Sequence, residues 1–250
     1  MPVFEICVDS VEGVTAARTT GADRVELCAD LAEGGITPSL GMIQQAVAAA
    51  GPVRVHVLIR PRGGDFLYSR AELAVMVSDI EAARAAGARG VVIGALTPDG
   101  DIDKDVTATL VRAAAGLSVT FHRAFDLTRD PRHALAALID LSVDRLLTSG
   151  QEATAPEGAE LIAELQRRAS GRIVIMPGGG VSESTVAELV RRTGVTELHF
   201  SASRPEASAV RFRNPRLSLS GARPPDENAR PRTSTERIRA IMTAAGSATG

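Results

Sequence analysis

Aromatic residues make up only 3% of the 250-residue chain, and tryptophan is absent. A core for a chain of this length must therefore be mainly Val, Leu, Ile and Ala. That suits βα units, in which β-branched strands meet Ala-rich helices. Lysine is nearly missing too: Lys104 is the only one, and the remaining positive charge is arginine. Lys104 falls in a helix-start segment far from any strand end, which disfavours a Schiff-base lysine mechanism. The net charge is −2 with acids and bases interspersed, so no basic face for nucleic acid stands out. No apolar run approaches the ~20 residues of a membrane span. The first residues run straight into a strand pattern rather than a signal peptide. Two cysteines, Cys7 and Cys28, do not make a disulfide framework. Both are expected as thiols in a reducing cytoplasm.

What is present is a repeat. Glu5-Ile6-Cys7-Val8-Asp9 returns as Glu26-Leu27-Cys28-Ala29-Asp30, each within a run that alternates polar and apolar residues. Between them lies a helical segment opened by Ser10 and closed by Gly21. This is a strand, a helix and a parallel strand. Period-2 geometry sends Glu, Cys and Asp of each copy to one face and the apolar residues to the other. Parallel strands are normally apolar on both faces, so the polar face must look into a special environment.

The βα rhythm continues. Further strands are expected at 53–59, 90–96, 118–125, 145–149, 172–176 and 197–201, each followed by a helix or connector. Asp130-Pro131 reads as a helix start, and Ser182 as the cap of the helix after strand seven. Eight such units in ~250 residues predict an α/β fold, a TIM-type (β/α)8 barrel. An open doubly wound sheet would need an edge strand, and none shows edge chemistry. A single domain over 1–250 is expected: barrel in 1–203, an irregular connector or strap in 204–233, and a last helix at 234–245. The connector reads as a strap across the barrel end, a dimer contact or a mobile segment.

Barrel sites lie at the C-terminal strand ends. Inward parity there gathers Glu5 and Cys7, Glu26 and Cys28, His56 and Arg60, His122, and His199 with Ser201. Three of the four histidines thus converge with two glutamates and two cysteines, which points to a functional cavity rather than a satisfied buried network. The thiols could share a soft ion such as Cu(I), or be small buried hydrophobes. Glu5 and Glu26 could pair with His56, His122 or His199 as acid and base, or hold a divalent cation. Gly178, Gly179 and Gly180 form a Gly-rich turn after strand seven, and strand eight ends in Ser201-Ala202-Ser203. Loops at these places often bind anions in barrels. Arg60 and Arg62 could clamp a phosphate or carboxylate, or simply be solvated and paired with Asp65.

Six stretches carry a resemblance: ADRVELCADLAEGGITPS, HVLIRPRGGDFLYS, FHRAFD, LTSG, MPGGGV and, in the tail, FRNPRLSLSG. In this order and spacing the chain resembles the CutC copper homeostasis family along nearly its whole length. The resemblance implies a cytoplasmic barrel, often oligomeric (a dimer is plausible here), with a displaced or strapped last helix. It makes Cys7 and Cys28 the Cu(I) candidates, with copper as the bound ion. It also keeps Glu26, His56, Arg60 and His122, which a copper carrier would not obviously need. Two functional readings follow. One is copper handling through the two cysteines. The other is a metal-independent enzyme in which Glu26, His56, Arg60 and His122 act on a small phosphorylated or carboxylated metabolite. A blander third is a scaffold whose tail is the contact.

Overall fold

The computed structural model describes residues 2–212, 214, 216 and 229–248. Eight parallel strands form one sheet: β1 (Val3–Val8), β2 (Arg24–Leu27), β3 (Arg54–Leu58), β4 (Gly90–Ile93), β5 (Ser118–Phe121), β6 (Arg145–Thr148), β7 (Val174–Pro177) and β8 (Glu197–Phe200). Hydrogen-bonded neighbours run β7-β6-β5-β4-β3-β2-β1-β8. Strands β7 and β8 also touch, so the sheet curls into a nearly closed barrel. Helices α1 (Val11–Thr20), α2 (Leu40–Ala50), α3 (Arg70–Ala85), α4 (Lys104–Ala113), α5 (Pro131–Asp140), α6 (Ala159–Ala169) and α7 (Val186–Thr193) follow the first seven strands. The predicted barrel is present.

The local reasons are visible in the sequence. Ser10, Ser39, Ser69, Asp103 and Asp130 each accept a bond from a first-turn amide of the helix they open. Outward strand residues such as Ile6, Val25, Val57, Val91 and Phe121 are fully covered by the helix ring. Register sets the inner face. Cys7 lies beside Glu26, Glu5 beside His199, and Glu26 beside His56.

Segment 204–233 departs from the irregular reading at both ends. Strands β9 (Ser203–Ala207) and β10 (Ala229–Thr233) pair as an antiparallel ribbon. Residues 213, 215 and 217–228, with seven of the ten residues of the FRNPRLSLSG motif, lie outside the described residues. The ribbon delivers the chain to α8 (Thr235–Gly246), capped by Ser234, which packs against both α1 and α7. The last helix therefore fills the eighth place in the ring.

Strand ends also differ from expectation where side chains capture the backbone. Strand β5 stops at Phe121, because His122 caps a 3₁₀ turn over Arg123–Leu127. The helix after β7 begins at Val186, not at Ser182. The Ser182 amide donates to Thr185 Oγ1 at 2.9 Å, which inserts a bend before the helix.

Two glycines of the β4 segment make room for imidazoles. A Cβ on Gly90 would stand 2.5 Å from His56 Cε1, and one on Gly94 would stand 2.3 Å from His122 Cε1. Gly94→Ala should destabilise the fold by about 1–3 kcal/mol through overpacking. The same change in a His122→Ala background should cost much less. Urea unfolding of the four proteins of this cycle checks the coupling, and additive effects would refute the contact.

Candidate barrel-mouth site

The interior of the barrel carries a chain of buried charges. Glu5 is fully buried. It accepts from Arg24 Nε and, at 2.8 Å, pairs with His199 Nδ1. Arg24 Nη2 also reaches Glu197 at 2.6 Å, and Glu197 is bonded in turn by Arg145 Nε at 2.6 Å. Each ion is bracketed by opposite charge, which is what burial requires. Burial alone would raise the Glu5 pKa, but the His199 hydrogen bond and the Arg24 cation hold its carboxyl well below the usual range. Burial likewise opposes charge on His199, yet its bonds to Cys7 and Glu5 hold the imidazolium well above its ordinary value.

Above this chain the mouth holds Cys7, Glu26, Cys28 and His199. Ligand atoms of Cys7, Glu26 and His199 lie within 4.8 Å of one another. His199 Nε2 is 3.6 Å from Glu26 Oε2. The two sulfurs are 3.9 Å apart, far beyond a disulfide bond length of ~2.05 Å. The Cys28 thiol donating to Cys7 lowers the Cys7 pKa to about 5, against the opposing effect of burial and with help from His199. The same bond, with burial, pushes Cys28 up. The pair thus holds one proton, on Cys28. Burial and the neighbouring Cys7 thiolate push Glu26 up to about 8, so it is a neutral acid at neutral pH.

These groups line a cavity of about 150 Å³ whose walls also include Arg60, Phe66, His122, Arg123 and Leu147. His122 accepts from the Ala124 amide through Nδ1 at 3.1 Å, and burial holds its pKa down at about 3. His56 is equally depressed by burial but does not line the cavity. Arg60 walls the cavity without offering the expected clamp. Nη1 donates to the Glu33 and Gly35 carbonyls at 2.7 and 2.8 Å, and Nη2 to the Gly64 carbonyl at 2.8 Å. It pins the loops after β2 and β3 together. Arg62 is turned away from the cavity, bonded to Glu72 and Asp65.

The expected anion loops are only partly assembled. Gly178 packs against the His199 ring, where a Cβ would stand 3.1 Å from Cδ2. Gly179 and Gly180 form a left-handed turn (φ 93° and 72°). They open onto the bend before α7 rather than a helix N-terminus. Ser201 is exposed rather than inward, because β8 ends at Phe200 and Ala202 turns the chain at φ 48°. Ser203 begins β9, where its carbonyl accepts from Arg237 at 2.8 Å. Neither serine lines the cavity.

Sequence reasoning missed Arg24, Glu197, Arg145 and Arg123. The first two had the signal: Arg24 shares the parity of Glu26, and Glu197 that of His199. Arg123 lies in a turn, where strand parity says nothing.

Fold and site together define a single (β/α)8 barrel with a thiol–imidazole–carboxyl cluster at its mouth. The CutC family profile matches residues 3–204. A CutC family protein of Bacteroides thetaiotaomicron is 50% identical over 235 residues, covering 94% of each chain. The human copper homeostasis protein cutC homolog is 48% identical over 217 residues, covering 87% of this chain and 79% of the relative. The solved structure of CutC from Streptococcus agalactiae has a TM-score of 0.77 at 35% identity, covering 80% of this chain and 99% of that one. Phosphoribosylanthranilate isomerase from Pyrococcus furiosus has a TM-score of 0.58 at 12% identity, covering 99% of this chain and 100% of that one, and shares the fold alone. The chain belongs to the CutC family.

Two outcomes test the electrostatics. Iodoacetamide should modify Cys7 in preference to Cys28, with a rate that rises through about pH 5 and then levels, well below the ordinary thiol value of 9.0. Mass mapping of the modified cysteine reads this directly, and a midpoint near the ordinary value would contradict the assignment. Arg24→Met leaves Glu5 with only His199 and Glu197 with only Arg145, a net excess of buried negative charge, and should cost about 3–5 kcal/mol in urea unfolding.

Proposed function

We propose that the protein takes part in copper homeostasis by binding Cu(I) between Cys7 and Cys28 at the barrel mouth. The observation that carries this reading is the thiol pair itself: two sulfurs 3.9 Å apart, one a stabilised thiolate, in a half-buried site. Soft thiolate donors suit Cu(I). The donor set fits the ion: Cys7 and Cys28 would hold it, with the proton on Cys28 leaving as it binds. Below them, His199 is fixed by Glu5 through Nδ1, so its cation sits beside the thiolates and offsets their charge. Free thiols persist in a reducing compartment, which supports a cytoplasmic role. No helix among the described residues is long and apolar enough to cross a membrane.

Cys7, Glu26 and His199 form a second possible donor set, one that leaves Cys28 out. That set would suit a borderline ion such as Zn(II). The two readings part on Cys28.

An anaerobic Cu(I) titration against a competing chelator tests the proposal. One equivalent should bind tightly in the parent, and binding should collapse in both Cys7→Ser and Cys28→Ser. Glu26→Gln should retain it. Weak binding in the parent, or binding indifferent to Cys28→Ser, overturns the thiol-pair site.

A further inference from the structure

The cavity beside the thiol pair presents donors that a metal ion cannot use. His122 is 6% exposed and walls the cavity. Its Nδ1 accepts from the Ala124 amide, so the ring proton sits on Nε2. Nε2 has no hydrogen-bond partner among the described residues, and neither does Arg60 Nε in the same wall. Buried donors of this kind are rare in folded proteins unless something else supplies the acceptor.

The rim adds positive charge. Arg123 donates through Nε to Asp126 at 2.8 Å and through Nη2 to Ser149 at 2.7 Å. Its Nη1 makes no hydrogen bond among the described residues. That nitrogen lies over the glycine turn, 3.2 Å from the place a Cβ of Gly179 would occupy. Between rim and floor the walls are apolar, with Leu58, Phe66 and Leu147. Phe66 is held in place under the Arg60 guanidinium, 5.0 Å from the ring centroid. The volume of about 150 Å³ is that of a cavity that accepts benzene.

We propose that this cavity binds a small organic anion with a compact apolar body. The body lies against Leu58, Phe66 and Leu147. One ligand oxygen accepts from His122 Nε2, and the anionic group meets Arg123 Nη1. A carboxylate and a phosphate ester share this chemistry. The site requires neither cysteine, so it stands or falls separately from the copper reading.

Isothermal titration of the metal-free, reduced protein tests it with four probes: benzoate, phenyl phosphate, inorganic phosphate and benzyl alcohol. Benzoate or phenyl phosphate should bind at one per chain, and the tighter of the two identifies the anion class. Benzyl alcohol should bind at least about tenfold more weakly. Arg123→Gln and His122→Asn should each weaken binding by about tenfold to a hundredfold. Asparagine at 122 retains an acceptor for the Ala124 amide, and Arg123 is largely at the surface. Thermal melts without ligand verify folding, and Arg123→Gln carries the test alone if His122→Asn is unfolded. No binding of either aromatic anion overturns the proposal, as does binding undiminished in the folded variants. Inorganic phosphate binding as tightly as phenyl phosphate overturns it too, since the rim alone would then account for the affinity.

Discussion

The Glu5 carboxylate is the pivot of this barrel. It is fully buried, and it is tolerated because Arg24 lies on one side of it and His199 on the other. Arg24 is tolerated because Glu197 takes its other nitrogen, and Glu197 because Arg145 shares it. Removing any member would strand a charge in a medium that solvates it badly. The alternation leaves little freedom: strand β1 must sit between β2 and β8 in the observed register for these atoms to meet. Aliphatic packing outside the sheet would tolerate rearrangement more readily. The charge chain would not.

The chemistry at the mouth inherits its state from this chain. His199 is held by Glu5 with its second nitrogen directed toward Glu26. An imidazolium there favours a thiolate on Cys7, and that thiolate accepts the Cys28 proton rather than sharing a second negative charge. Glu26, beside the thiolate and out of water, keeps its own proton. Three groups that would each behave ordinarily at the surface are thus set into one arrangement: a soft anion, a soft donor ready to lose a proton, and a neutral acid. This is why the cluster is suited to a soft cation rather than to the hard, oxygen-seeking ions that two ionised glutamates would attract.

Period-2 reasoning placed Glu5, Cys7, Glu26, Cys28, His56 and His199 on the inner face; the register agrees for the five on strands, and Cys28, just past β2, packs there with Leu58 and Val92. Parity is set by the pleat, so it is legible wherever a strand is real. It failed where strands end. Ser201 follows the last residue of β8 and turns outward at a left-handed bend. Arg123 reaches the cavity from a 3₁₀ turn that no alternation could announce. Arg60 had the right parity but a misjudged task, because the carbonyls of Glu33, Gly35 and Gly64 belong to loops whose approach is decided by tertiary packing. The β9–β10 ribbon was hidden because Arg, Pro and Ser carry little strand propensity, and its pairing is long-range.

Depth separates two kinds of work in one barrel. The lower interior is saturated: its charges are matched among themselves, and no ligand is needed to satisfy them. The mouth is not saturated. His56 Nδ1 is orphaned as well, but it sits off the cavity under Gly90, where no ligand can reach it. The donors of His122 and Arg60 are also closed to solvent, but they belong to residues that wall the cavity, so a small shift of either side chain would bring them to a ligand. An unsatisfied buried donor in a closed core is a penalty that mutation would readily remove. In an accessible cavity the same donor is repaid whenever a ligand arrives. The thiol pair and the His122 wall therefore suit separate occupants, a soft cation on one side and an acceptor-bearing organic molecule on the other. That a single 150 Å³ space borders both means that each occupant would alter the room and the field available to the other.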